Sequence, residues 1–273
     1  MIKFNFSPRQ IMKRFKYYAR IKILNFFFFN IFHKQNVKWM GDGFITSNFF
    51  GANVDNRFLQ AVKKTELELK TKLYNIWRIY ICVYFIKMLI TRANKKYLIS
   101  YVECGVADGI TLLTSLNYFN LHKKYKKGFL HSKFLLMDTF RGVDLKYVPS
   151  NSISNNYKST MYGSSSKKII KKRFKDLNGL NIIEGSIPES LKLVNQKIKP
   201  DFLHLDMNNP YPEICALQYF YPKMKNGSII IFDDYAFTGH NYNLQRKLIN
   251  EYLDSSNINR PITLPTGQGI LIK

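Results

Sequence analysis

Tyr101-Val102-Glu103-Cys104-Gly105-Val106-Ala107-Asp108-Gly109 is the stretch that decides the fold. It follows a short apolar run, Tyr97 to Ser100, and leads into Ile110 to Leu121, where apolar residues recur at helical spacing. The local reading is strand, turn, helix. An acid at a strand end, followed by a turn that glycine makes at least steric cost, is how an open α/β sheet holds a nucleoside-containing ligand at the C-terminal edge of its strands. The spacing is E-x-G-x-x-x-G rather than the G-x-G-x-x-G of a dinucleotide site, which favours S-adenosylmethionine over NAD. Taken alone, the stretch reads equally as an ordinary tight turn.

Outward from it, short apolar runs alternate with helical patterns, the signature of a parallel sheet. Strand one covers Leu98 to Val106, with its helix to Leu121. Strand two is Phe134 to Met137, ending in Asp138-Thr139-Phe140-Arg141-Gly142. The polar stretch Lys146 to Ser166 has the length of a lid, a binding loop or a disordered segment. A basic helix, Lys167 to Leu177, precedes strand three, Asn181 to Glu184, and the turn Gly185-Ser186-Ile187-Pro188. The pattern then predicts a helix over Leu191 to Ile198, strand four over Phe202 to Leu205 with Asp206 at its end, and a helix over Pro212 to Tyr221. Strand five, Ser228 to Phe232, ends in Asp233-Asp234-Tyr235. A helix over Asn243 to Leu253 and a hairpin of Ile262 to Leu264 with Gly269 to Ile272 close the chain. No internal repeat is visible.

Ahead of the sheet, the chain divides into a basic aromatic arm (1–40), a helical cap (41–96) and the cofactor-binding domain (97–273). The arm contains no acid and reads equally as an amphipathic contact for an anionic membrane or a partner subunit, and as a poorly ordered tail. Its apolar run, Ile23 to Phe32, is too short to span a bilayer and has no cleavage site after it. In the cap, Phe58, Ala61, Val62 and Leu67 fit one helix. Leu73 to Thr91 fits a second, and Asn75, Arg78 and Lys87 interrupt it enough to argue against a membrane span. With 42 Lys+Arg against 18 Asp+Glu the formal charge is +24, which raises anionic partners in general. The accompanying Asn, Ile, Tyr and Phe are what an A+T-rich coding sequence produces without any binding role. Cys82, Cys104 and Cys215 lie far apart with no C-x-x-C pair, as expected of free thiols in a reducing compartment. The expected location is the cytoplasm, with the arm available to the inner membrane face; a homo-oligomer is compatible with the sequence.

Acids are scarce, yet Glu103, Asp138, Asp206, Asp233 and Asp234 all fall at C-terminal strand ends, with Glu184 close to another. Those ends form the ligand crevice of a doubly wound sheet. Gathering carboxylates there is unfavourable unless something cationic or hydrogen-bonding sits among them. Asp138 is placed to accept from ribose hydroxyls. Asp206, Asp233 and Asp234 come from adjacent strands and suit a hard divalent ion, Mg²⁺ or Ca²⁺. His240 is a candidate acid or base near that ion, against the plainer reading of a loop histidine. His204, on apolar strand four, reads as a core residue. Trp77-Arg78 reads either as reaching over the cofactor or as a packed Trp beside a surface Arg.

Together, Trp77-Arg78, Val102-Glu103-Cys104-Gly105-Val106, Asp138-Thr139-Phe140, Leu205-Asp206, Asp233-Asp234-Tyr235 and Leu264-Pro265-Thr266-Gly267-Gln268-Gly269 resemble the class I S-adenosylmethionine-dependent methyltransferases of the macrocin O-methyltransferase type. The match runs in unbroken order from about Gly41 to the C-terminus. The resemblance implies a Rossmann-like doubly wound α/β sheet of seven strands in the order 3-2-1-4-5-7-6, and O-methylation of a sugar hydroxyl on a glycosylated metabolite or surface glycan. It implies cofactor contacts at Glu103, Gly105, Val106, Gly109, Asp138 and Ser186, and a metal, Mg²⁺ or a similar ion, at Asp206, Asp233 and Asp234, with Asp206 also the general base. Two positions depart from the pattern: Arg141 stands where an acid is common, and Asn208 where many members carry a second Asp.

Three rival readings remain. Asn208-Asn209-Pro210-Tyr211 echoes the Asn-Pro-Pro-Tyr box of amino-group methyltransferases acting on nucleic acid, but lacks its first Pro and starts two residues beyond the strand-end acid. A non-catalytic binding protein with the same fold would not call for the full acid set. An NAD enzyme is disfavoured by the glycine spacing.

Overall fold

The computed structural model describes residues 55–93, 98–148, 165–238 and 240–273, the side chains of 240 and 241 excepted; before residue 55 it describes only positions 19 and 23 and an antiparallel pairing of Lys38–Trp39 with Ile45–Thr46. The chain forms two compact units, Met1–Val54 and Asp55–Lys273. The expected arm and most of the expected polar loop therefore lie outside the described residues. Among the described residues no helix is long and apolar enough to cross a membrane.

The second unit is built on seven strands: β1 Ser100–Cys104, β2 Lys133–Asp138, β3 Gly179–Glu184, β4 Phe202–Leu205, β5 Ile229–Phe232, β6 Ile262–Thr263 and β7 Gly269–Ile272. Their order is β3-β2-β1-β4-β5-β7-β6, as the resemblance implies, and β7 is antiparallel to both neighbours while the rest are parallel. Both faces of the central strands are covered, which is why β4 and β5 read as near-continuous apolar runs rather than alternating ones. Among the described residues seven α-helices flank the sheet: α1 Asn56–Leu69, α2 Ile76–Arg92, α3 Ile110–Asn120, α4 Lys123–Leu130, α5 Lys167–Arg173, α6 Pro210–Phe220 and α7 His240–Ser255. Asp55 caps α1 by accepting from the amides of Arg57 and Phe58, and Phe58, Ala61 and Val62 then face inward where α1 packs on α3.

Register places the site. Cys104 pairs with Met137 on one side and Leu205 on the other, and Leu205 pairs with Phe232, so these strands end level. The ladder runs one residue further: Gly105 donates to Met137, Asp206 to Cys104 and Asp233 to Leu205, each at 2.9 Å. The residues that leave the sheet next thus share one edge, at the point where strand order reverses about β1 and β4.

Two elements differ from expectation. Leu191 to Ile198 is not an α-helix: a 3₁₀ segment covers Glu189–Leu193, burying Leu191 and Val194. Asn195 then turns the chain, its side chain accepting from the Lys197 amide, and this local bond competes with helix continuation. Helix α4 has no counterpart among the predicted elements, because Phe129 is its one fully buried residue and a single anchor leaves no periodicity to read.

Candidate active site

The first wall of the crevice is the turn after β1. Gly105 has φ +90°, and a Cβ there would stand 1.8 Å from the Asp206 carbonyl oxygen, so only glycine fits. Asp138, at the end of β2, ties this turn to its own: its Oδ2 accepts from the amides of Val106 at 2.6 Å and Ala107 at 2.8 Å, and its Oδ1 from Phe140 at 2.6 Å. A pocket opens between these turns. Gly105 and Ala107 line it from β1, Asp138 and Thr139 from β2, Gly185 and Ser186 from β3, and Asp206 to Asn209 from β4. Asp144 completes the rim, accepting from the Ser186 hydroxyl.

Of the residues expected to touch the cofactor, Gly105, Asp138 and Ser186 line this pocket, whereas Glu103, Val106 and Gly109 do not. Val106 serves through its amide, on Asp138. Gly109, at φ +69°, starts α3 where a Cβ would meet the Phe174 ring at 2.8 Å. Glu103 is consumed inside the protein: it is 2% exposed, its Oε2 accepts from the Tyr101 hydroxyl at 2.9 Å, and its Oε1 lies 3.2 Å from His204 Nδ1.

The acid half of the site continues from there. His204 Nε2 lies 3.4 Å from Asp233 Oδ1, which also accepts from Gln268 Nε2 at 2.8 Å. Arg78 of α2 places Nη2 2.7 Å from Asp233 Oδ2 and 2.8 Å from Asp234 Oδ1. Asp206 accepts through Oδ1 from the Asn208 amide at 3.2 Å, and Asn208, held in the left-handed region, accepts in turn from the Tyr242 hydroxyl. Ligand atoms of His204, Asp206 and Asp233 all lie within 4.8 Å of one another.

Burial, followed by the charges of Asp233 and Asp234, pushes Asp206 well above the carboxylate range. Burial also pushes Asp233 upward, but Arg78 and then His204 outweigh it and hold its carboxyl down at about 2. Burial works against a charged His204, yet hydrogen bonds to Asp233 and Glu103 help keep the imidazolium well above the usual histidine value. Glu213, 1% exposed on α6, is raised by burial and then by Asp234 and Asp206; Gln245 donates to it at 2.7 Å. The floor of the site is therefore electrostatically uneven: Asp206 and Glu213 are pushed up, and Asp233 is held down by Arg78.

Sequence reasoning did not assign Arg78, His204, Gln268 or Glu213 these places. Arg78 is not at the surface but largely buried against Asp233 and Asp234, and His204 is buried as read, as a bridge between two acids. The signal was available in part: Glu103 on β1 is the register partner of His204 on β4, and polar residues at matching positions of buried strands face one another. The expected role of His240 falls outside the described side chains.

No protein-family model matches the sequence, and no curated protein matches it. Solved structures do resemble the fold. The O-methyltransferase NovP is 15% identical, with 72% of this chain and 79% of that chain covered and a TM-score of 0.55. CalS11, a calicheamicin methyltransferase, is 15% identical, with 82% of this chain and 94% of that chain covered and a TM-score of 0.53. The strand order, the crevice at its reversal and these two likenesses establish that the chain has the Rossmann-like fold of class I methyltransferases.

Proposed function

We propose that this chain is an S-adenosylmethionine-dependent O-methyltransferase acting on a sugar hydroxyl of a surface glycan or glycosylated metabolite. The observation that carries the reading is the contact of its two halves: the glycine turn of the pocket presses on the backbone of Asp206, the candidate base. The motif run shared with macrocin-type enzymes and the O-methyltransferase NovP support an oxygen acceptor.

The pocket fits the cofactor on its own geometry. Gly105 leaves space where any side chain would clash, Gly185 adopts φ +147°, and Asp138 lies on the wall, where Oδ1, which accepts from the Phe140 amide alone among the bonds described, is the oxygen a ribose hydroxyl would meet. The bound cofactor supplies a methyl group already activated on a sulfonium. The protein's task is to hold an acceptor oxygen in line with it, and positioning of this kind is a large part of catalysis. Asp206 accepts the acceptor's proton at Oδ2, because Oδ1 is engaged by Asn208. Its raised pKa makes it a stronger base than an exposed carboxylate.

Ligand atoms of His204 and of two carboxylates, Asp206 and Asp233, come within 4.8 Å of one another, donor types a divalent ion takes. Of the expected ion ligands, however, Asp233 and Asp234 are already paired with Arg78, at 2.7 and 2.8 Å. The amino-group reading gains no support, since the Asn208 amide is spent on Asp206 and Asn209 Nδ2 faces the Asp144 carbonyl at 3.4 Å. In the proposed setting the enzyme works in the cytoplasm, with the basic arm a candidate membrane contact. Mass spectrometry of cell-surface sugars with and without the protein tests the function; a methyl difference supports it, and identical methylation of glycans and glycosylated metabolites contradicts it.

A further inference from the structure

We propose that Arg78 is the built-in counter-cation of the Asp233–Asp234 pair and occupies the place a divalent ion would take, so that the site assembles without a metal. The turnover half of this proposal rests on the methyltransferase reading; the binding half rests on geometry alone.

Arg78 reaches the acids from α2, outside the strand-end set, and it is fixed from several sides. Nη2 is within ion-pair distance of both carboxylates, and it also donates to the Asp233 carbonyl. The Phe237 ring lies 5.0 Å from Arg78 Cζ and covers the guanidinium. Gln268, fully buried on the closing hairpin, donates to Asp233 Oδ1 at 2.8 Å and to the Arg78 carbonyl at 3.4 Å, tying both partners of the ion pair to one side chain. The ion-paired side chains are 11%, 13% and 8% exposed for Arg78, Asp233 and Asp234, so water screens the pairing little.

A divalent ion and this guanidinium need the same oxygens. Both oxygens of Asp233 already face donors of the protein, Oδ2 from Arg78 and Oδ1 from Gln268 and His204. An ion drawing on Asp233 and Asp234 must displace Arg78 or sit beside a like charge in a poorly screened site. Arginine remains charged at any working pH, so its occupancy does not vary with the medium as a metal's does.

The test uses the full chain and Mn²⁺ alone, followed by the electron paramagnetic resonance signal of the free ion, with wild type, Arg78→Gln and Arg78→Lys each checked for folding by circular dichroism. Expected is weak Mn²⁺ binding by wild type and Arg78→Lys, and binding at least roughly tenfold tighter by Arg78→Gln. Tight stoichiometric binding by wild type, or no gain in a folded Arg78→Gln, overturns the proposal. Should Arg78→Gln fail to fold, wild-type turnover decides: activity kept within about twofold after chelation supports a metal-free site, and activity lost on chelation and restored by Mg²⁺ overturns it. Absence of methyl transfer under every condition, with the Mn²⁺ pattern as expected, would count against the enzymatic reading and leave the role of Arg78 standing.

Discussion

Gly105 and Asp206 meet so closely that a Cβ on the first would lie 1.8 Å from the carbonyl oxygen of the second. The contact joins the turn that lines the pocket to the strand end that carries the candidate base. At φ +90° the position is also one that other residues adopt only under strain. Gly105→Ala is therefore expected to cost roughly 1–3 kcal/mol of stability by overpacking and to abolish cofactor binding. Urea melts and calorimetry check both; a variant that binds and melts like wild type would show that the backbone yields at no cost.

Asp206→Asn keeps the shape of the side chain and removes the base. Turnover is expected to fall about 10²–10⁴-fold, the usual range for a positioned general base, while S-adenosylmethionine affinity stays within a few fold. Labelled methyl transfer together with a binding titration separates the two. Full turnover in this variant would remove Asp206 from the chemistry.

Tyr101→Phe tests whether Glu103 is structural. The Tyr101 hydroxyl donates to Glu103 Oε2 at 2.9 Å, and both residues are buried. Leaving a buried acceptor without its donor should cost roughly 1–3 kcal/mol in denaturant melts, with cofactor affinity unchanged. A variant of undiminished stability but weakened cofactor binding would return Glu103 to the cofactor.

His204 gives a pH signature. Its folded pKa is raised well above 6.5, while the unfolded side chain titrates near that value. Between the two the native state binds the extra proton, so the contribution is full below about pH 6.5 and is lost as pH rises through the folded value. The stability difference between wild type and His204→Gln should therefore shrink with rising pH, by up to ~1.4 kcal/mol per pH unit within that window. A difference that is constant from pH 6.5 to 9 would mean that the imidazole is neutral in the fold.

Much of the fold was legible because each central strand is a short apolar run with a turn behind it, and strand four fell on Phe202–Leu205 as read. Strand ends were legible for the same reason: the acids mark where the apolar run stops. The interior of the site was less so. Arg78 lies 155 residues from Asp233 in sequence, and nothing in the helical pattern around it shows that the helix carries it to the far strand ends. Glu103 looked like a cofactor acid because strand-end acids usually are; that Tyr101 and His204 bury it depends on which face of β1 meets β4, a tertiary fact. After Pro188 the chain runs as a 3₁₀ segment to Leu193, and the local bond of the Asn195 side chain to the Lys197 amide then competes with any helical continuation.

Titration of S-adenosylmethionine into the folded wild-type chain and into Asp138→Ala, followed by calorimetry, tests the central claim most directly. Asp138 both lines the pocket and ties its two turns together, so the methyltransferase reading predicts saturable one-site binding by wild type and at least roughly tenfold weaker binding by the variant. No saturable heat from a folded wild-type chain, or equal affinity in the two proteins, would contradict it.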